Sequence, residues 1–238
     1  MRWELIGRNV ATLVTPPPPN VFEVRILTIA QARQLLQHVA GTRNAALYHV
    51  TLLLGLRRSE VLGLRWQDVD LEQATLTIHG ALHLFPSVEA RADIHRRRPG
   101  FVIDVFTEHA ALVQPKTKAG RRTLPLSPAL CGMLAAHRER QRAYAAERGD
   151  RWVEHGLVFP STVGTPITPR NLSRSFAGML KKAGLPHMRF HDLRHSCASF
   201  LAASNPPTPP RVAMEILGHA NIHPTLQFYT KALDINKQ

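Results

Sequence analysis

The stretch "RFHDLRHSC", residues 189 to 197, gathers His191, Asp192, Arg194 and His195 into one short run. On a helix, residues three apart share a face, so His191 and Arg194 would point the same way. An imidazole beside a permanently charged guanidinium suits a phosphate, although the same spacing also suits an ordinary polar face. His191 and His195 stand four apart and could grip a zinc ion, but no third ligand accompanies them at a helpful spacing. No metal is expected there. Other residues able to do chemistry lie far away in sequence. They are Arg57, Arg58 and Glu60 in "GLRRSE" (55–60), Lys116 and Lys118 in "PKTKAGRRTLPL" (115–126), and His219 and Tyr229 in "LGHANIHPTLQFY" (217–229). A phenol ordinarily has a pKa of about 10, so as a nucleophile it needs an electropositive pocket or a base.

The composition points to a partner. The 238 residues carry a net charge of +13 and a pI near 10.9, on a hydrophobic content of 44% that suffices for a core. Such a surplus of positive charge implies a polyanion, with nucleic acid the default, against the plainer alternative of an arginine-rich coding bias. Arg outnumbers Lys 24 to 6, and guanidinium forks match phosphate oxygens bidentately. The only cysteines, Cys131 and Cys197, form no C-x-x-C pair, so neither a zinc ribbon nor a disulfide framework is supported. With no run of 18 apolar residues and no signal-peptide core, the expectation is a soluble, cytoplasmic protein without membrane association.

Several elements must position those residues. Thr28 and Gln31 form a capping box ahead of the stripe Ala32, Leu35, Leu36, Val39, which predicts a first helix. A second runs from about Asn44 to Leu54 and stops at Gly55, and "LRRSEVLGL" reads as a short turn of helix. "ATLTIHG" (74–80), "FVIDVF" (101–106) and "RRTLPL" (121–126) alternate like strands. Ser127 and Pro128 open a long helix to about Arg148, and Thr168–Pro169 opens another that closes at Gly184. "HDLRHSCASFLAA" and "RVAMEIL" follow, the latter ended by Gly218, and a last helix covers about Pro224 to Leu233. The fold class expected is mainly α with a small antiparallel β-sheet.

These stretches, in this order and with "LGH" followed by a tyrosine ten residues on, resemble the catalytic domain of the tyrosine recombinases, the phage-integrase family. The resemblance covers about residues 21 to 233. It implies that Arg57 and Arg194 clamp the phosphate and that Lys116 protonates the leaving 5′-oxygen. It further implies His191 as acid/base, His219 as a phosphate contact, Tyr229 as the nucleophile, and Glu60 and His195 as supports. Two guanidiniums and an imidazole can stabilise the charge that builds on non-bridging oxygens, so neither ATP, metal nor another cofactor is implied. The implied partner is double-stranded DNA, with a homotetramer on recombination sites and a monomer without DNA.

Two departures from the family pattern stand out. Residues 1–20, "MRWELIGRNVATLVTPPPPN", resemble only the last helix of a core-binding domain plus a proline-stiffened linker, leaving 21–238 as the catalytic domain and 230–238 as a short tail. Residues 83–114 read as an insertion whose tip, with Arg91, Arg96, Arg97 and Arg98, is either a solvated surface loop or a phosphate contact. Arg58, Lys118, Arg121 and Arg122 are further candidate DNA contacts. A type IB topoisomerase, which shares this chemistry, and a non-catalytic DNA-binding fragment are the competing readings.

Overall fold

The computed structural model describes residues 14, 15, 24–115, 117–223, 225, 226 and 229, with Lys118 described only in its main chain. The expected N-terminal helix and linker, the tail 230–238 and Lys116 lie outside the described residues. Of the expected last helix, Thr225, Leu226 and Tyr229 are described, and all three are helical, as is His223 just before it.

Helix α1 (Ile29–Val39) starts at the expected capping box: the Thr28 hydroxyl accepts from Gln31 N–H at 3.1 Å, and Gln31 Oε1 accepts from Thr28 N–H at 3.0 Å. Helix α2 (Ala45–Leu54) is buried on nearly every side, the pattern of a helix running through a core. It ends at Gly55, whose φ of 63° is left-handed. A Cβ there would lie 2.6 Å from Leu217 and 3.1 Å from the Cys197 sulfur. Both the backbone angle and the close approach of two other elements therefore require glycine. Helix α3 (Arg58–Leu62) follows at once.

The expected single sheet is two. Strands β1 (Val69–Asp70), β2 (Thr75–Ile78) and β6 (Arg122–Pro125) form the first, antiparallel in the order β1-β2-β6, with Leu76 opposite Leu124. Strands β3 (Ala81–Leu84), β4 (Val102–Thr107) and β5 (Ala110–Val113) form the second, antiparallel in the order β3-β5-β4. The second sheet and helix α4 (Val88–Arg97) fill the connection between β2 and β6. The insertion is thus a folded subunit rather than a loop, with its own small apolar cluster of Phe85, Ala111 and Val113.

Helix α5 (Pro128–Arg148) is capped by the Ser127 hydroxyl and α6 (Pro169–Lys182) by that of Thr168, each with proline in its first turn. Helices α7 (Asp192–Ala203) and α8 (Pro210–Leu217) follow. Tyr48 on α2, Phe176 on α6 and Phe190 just before α7 pack with centroids 5.4 to 6.3 Å apart, which seats the start of α7 on the core. The Ser196 hydroxyl donates to Asp192 O at 2.9 Å and accepts from Leu27 N–H at 3.0 Å. No described helix is long and apolar enough to cross a membrane.

Candidate functional site

Helix α8 ends in a left-handed Gly218 at φ 66°, and its terminal carbonyls have no further turn to bond with. Three guanidiniums take them in succession. Arg122 Nε donates to Ile216 O at 2.7 Å, Arg194 Nη2 to Leu217 O in a very close contact, and Arg57 Nη2 to Gly218 O at 2.7 Å. Arg194 also donates to Gly55 O at 2.7 Å, so the αL turn after α2 presents its carbonyl to α7. The negative end of the α8 dipole favours this gathering of cations.

A single carboxylate organises them. Glu60 is 4% exposed, and each of its oxygens accepts two N–H groups. Oε1 takes Arg57 Nη1 at 2.6 Å and Arg122 Nη1 at 3.2 Å; Oε2 takes the Arg57 main-chain N–H at 2.9 Å and Arg122 Nη2 at 2.9 Å. Its capacity as an acceptor is then full. Burial alone would raise the Glu60 pKa, but the hydrogen bond and charge of Arg122, followed by those of Arg57, hold it at about 2. Arg194 is 3% exposed. Burial and then the Arg57 charge lower its pKa to about 9, with Glu60 acting in the opposite sense. Three guanidiniums around one carboxylate leave positive charge uncompensated, in a setting where the groups are held by main-chain atoms. Such an arrangement is able to receive an anion without reorganising.

The imidazoles border the same charges. His219 is half-buried, and its Nδ1 lies 2.8 Å from the buried Thr225 hydroxyl. Desolvation, then Arg194, Arg57 and Arg122, bring its pKa down to about 4. His191 stands at the N-cap position of α7, its side chain making no capping bond. Desolvation in the cleft, then His195 and Arg194, also lower it to about 4. Both rings are therefore neutral at pH 7, free to donate from one nitrogen and accept at the other. His195 packs edge-on against His191 with centroids 4.9 Å apart, and its Nε2 lies 4.0 Å from Asp192 Oδ1.

Arg57 opens onto a cleft of about 620 Å³ whose walls include Arg58, His83, Arg189 and His191. Arg58 is exposed and donates to the Ser173 hydroxyl at 3.0 Å. The Tyr229 phenol donates to Thr208 O, in the turn before α8. Burial raises its pKa.

The structure therefore brings together Arg57, Glu60, His191, Arg194, His195 and His219, while the Tyr229 hydroxyl is engaged on a main-chain carbonyl. One expectation needs correction: Arg122, a candidate DNA contact by sequence, has its side chain only 7% exposed and turned inward onto Glu60. The main chain of Lys118, another candidate, lies in a 3-10 turn, Lys118–Gly120, between strands of different sheets. Of the other basic candidates, Arg121, Arg96, Arg97 and Arg98 are exposed. Arg97 pairs with Asp93 at 2.8 Å, Arg96 with the same residue at 3.6 Å, and Arg98 lies over the Phe101 ring. Arg91 is partly covered and donates to Thr107 O and Glu108 O. Thr225 was missed: six residues past His219, it carries no spacing signal until the turn after α8 is folded.

Comparison with known proteins settles the family. Residues 25–235 match the model of the phage integrase family. The chain belongs to that family. The tyrosine recombinase XerC-like protein of Caldanaerobacter subterraneus subsp. tengcongensis is 28% identical over 235 residues, 97% of this chain and 56% of that protein. The integrase of Streptomyces ambofaciens is 31% identical over 237 residues, 98% of this chain and 56% of that protein. The chain thus spans about half the length of the curated relatives it matches. Among solved structures, the Tn1549 transposon integrase in complex with circular intermediate DNA superposes with a TM-score of 0.67 at 21% identity, covering 92% of this chain and 69% of that one. The XerA recombinase gives 0.65 at 20% identity, with 94% and 66% covered. These two likenesses show the shared fold.

Proposed function

We propose that this chain is the catalytic part of a site-specific recombinase that cuts and rejoins DNA through a 3′-phosphotyrosyl link, in the integration or excision of a mobile element. The observation that carries the reading is the convergence of Arg57 and Arg194 on adjacent carbonyls at the end of α8, beside His191 and His219. In the proposed reaction the Tyr229 oxygen bonds to the phosphorus as its proton passes to His191, and the bond from phosphorus to the 5′-oxygen breaks. Lys116 gives the leaving oxygen a proton, and the reverse sequence rejoins the strand. Arg57, Arg194 and His219 stabilise the equatorial charge. Because the bond energy is stored in the phosphotyrosine, no ATP is consumed.

The Tyr229 phenol must first leave the Thr208 carbonyl, so the segment carrying it moves before attack. DNA-bound tetramers with monomers in free solution fit this scheme, since the assembly would supply the force that repositions that segment. The Tn1549 likeness supports a mobile-element role.

A nicked duplex that traps the covalent intermediate tests the reading. The expected result is a protein–DNA adduct from the wild type and none from Tyr229→Phe. Equal adduct from both removes Tyr229 as nucleophile. Relaxation of supercoiled plasmid lacking any recombination site would favour a topoisomerase. Salt-sensitive binding without adduct at any protein concentration would leave a DNA-binding fragment.

A further inference from the structure

The Arg122 guanidinium lies away from solvent beside Glu60 and bonds to three segments of the chain. Four of its five N–H groups are used: Nε on Ile216 O at 2.7 Å, Nη1 on Glu60 Oε1 and Gly120 O at 3.2 Å each, and Nη2 on Glu60 Oε2 at 2.9 Å. Ile216 belongs to the α8 end that also receives Arg194 and Arg57. Glu60 fixes both the side chain and the main chain of Arg57. Gly120 closes the 3-10 turn Lys118–Gly120, which begins two residues after Lys116 in sequence. The fit is tight: a Cβ on Gly218 would lie 2.7 Å from Arg122 Nη1 and 2.8 Å from Ala119 O.

We propose that Arg122 is a positioning residue for the strand-cleavage reaction. It sets the two clamping guanidiniums through Glu60 and α8, and it anchors the turn at Gly120 to the same frame. The inference rests on the recombinase reading. Arg122 itself touches no DNA, because its side chain is closed off from solvent. A lysine in its place keeps the charge but has no planar fork with which to hold both Glu60 oxygens and a carbonyl together. Loss of one preorganised contact of this kind is worth about 10²-fold in rate.

The test compares wild type, Arg122→Lys and Arg122→Gln on the nicked duplex. Adduct formation is measured per molecule of bound protein, below each variant's melting temperature, with affinity measured separately. Cleavage about 10²-fold slower in Arg122→Gln, an intermediate rate in Arg122→Lys and affinities within about twofold of wild type would support the proposal. A positioning role also predicts a change in pH profile. With half of the Glu60 donors gone, the carboxyl protonates at higher pH, so the variants' rate falls on the acid side where the wild type's is level. Rates equal to wild type in both variants, or affinity falling in step with rate, would overturn the proposal. So would Arg122→Lys failing to fold, which would make the side chain a scaffold member only. Absence of adduct from the wild type would instead overturn the recombinase reading, and the inference with it.

Discussion

Glu60→Gln removes the charge at the centre of the site with almost no change of shape. The carboxylate accepts four N–H groups at 2.6 to 3.2 Å. Glutamine offers one accepting oxygen and turns an NH₂ toward the donors that lose theirs. Two independent routes give the magnitude. Removing one partner of a buried ion pair costs about 3–5 kcal/mol. Separately, the Glu60 carboxyl falls from an ordinary 4.5 to about 2 in the folded protein; at about 1.36 kcal/mol for each pH unit, this is about 3 kcal/mol. For a chain of this size, about 3 kcal/mol lowers the melting temperature by roughly 6–12 °C. The sign with pH follows from the depressed folded-state value. The stabilisation is complete above 4.5 and is lost as pH falls from there toward 2. His191 and His219, also depressed when folded, stabilise the protein fully above 6.5 and lose that contribution between 6.5 and about 4. Calorimetric melting of both proteins from pH 8 to pH 3 separates the two groups. The histidine-linked loss, ending near 4, should appear in each, and the further loss below 4 in the wild type alone. A Glu60→Gln protein melting within about 2 °C of wild type at pH 7, or matching its acid slope below pH 4, would refute this account of the site.

Three other outcomes are expected. Gly218→Ala should melt lower by about 1–3 kcal/mol from left-handed strain and the clash with Arg122; it should also slow adduct formation, because Gly218 O holds Arg57, as a melting curve and a cleavage time course will show. Thr225→Val keeps the volume but removes the hydroxyl against His219 Nδ1, so cleavage should drop about 10-fold with little change in DNA affinity, by the adduct assay. Replacing Arg96, Arg97 and Arg98 together with Gln should leave the melting temperature within about 2 °C, since α4 buries none of its residues; if the helix meets phosphate, the slope of log affinity against log salt should fall by about 2–3 in a binding titration.

The sequence made the helices legible where each carried a cap and a stripe. Thr28, Ser127 and Thr168 announce their helices by residue type, and Gly55 and Gly218 announce stops. The second sheet was not legible for a physical reason. Strand β5, "AALV", is buried at every position, so it shows no alternation, and alanine has little strand preference. Helix α4 has a capping serine, Ser87, but no buried residue, so the stripe that marks a helix is missing. At the site, Arg57, His191, Arg194 and His219 were found because they stand in motifs that follow the family's order. What the side chains bond to was hidden, because carbonyls 55, 216, 217 and 218 belong to every residue type alike. Arg122 illustrates the limit: its type was visible, but only the strand pairing that brings β6 beside β2 shows that it faces inward.

The seating of α8 governs more than its own eight residues. Because Ile216 O, Leu217 O and Gly218 O are the docking points for groups from β6, α7 and the start of α3, prising up one short helix end would scatter all three guanidiniums at once. Tyr229 stands eleven residues beyond Gly218 in sequence, so in the proposed reaction that one helix end bears on the cations and the phenol together.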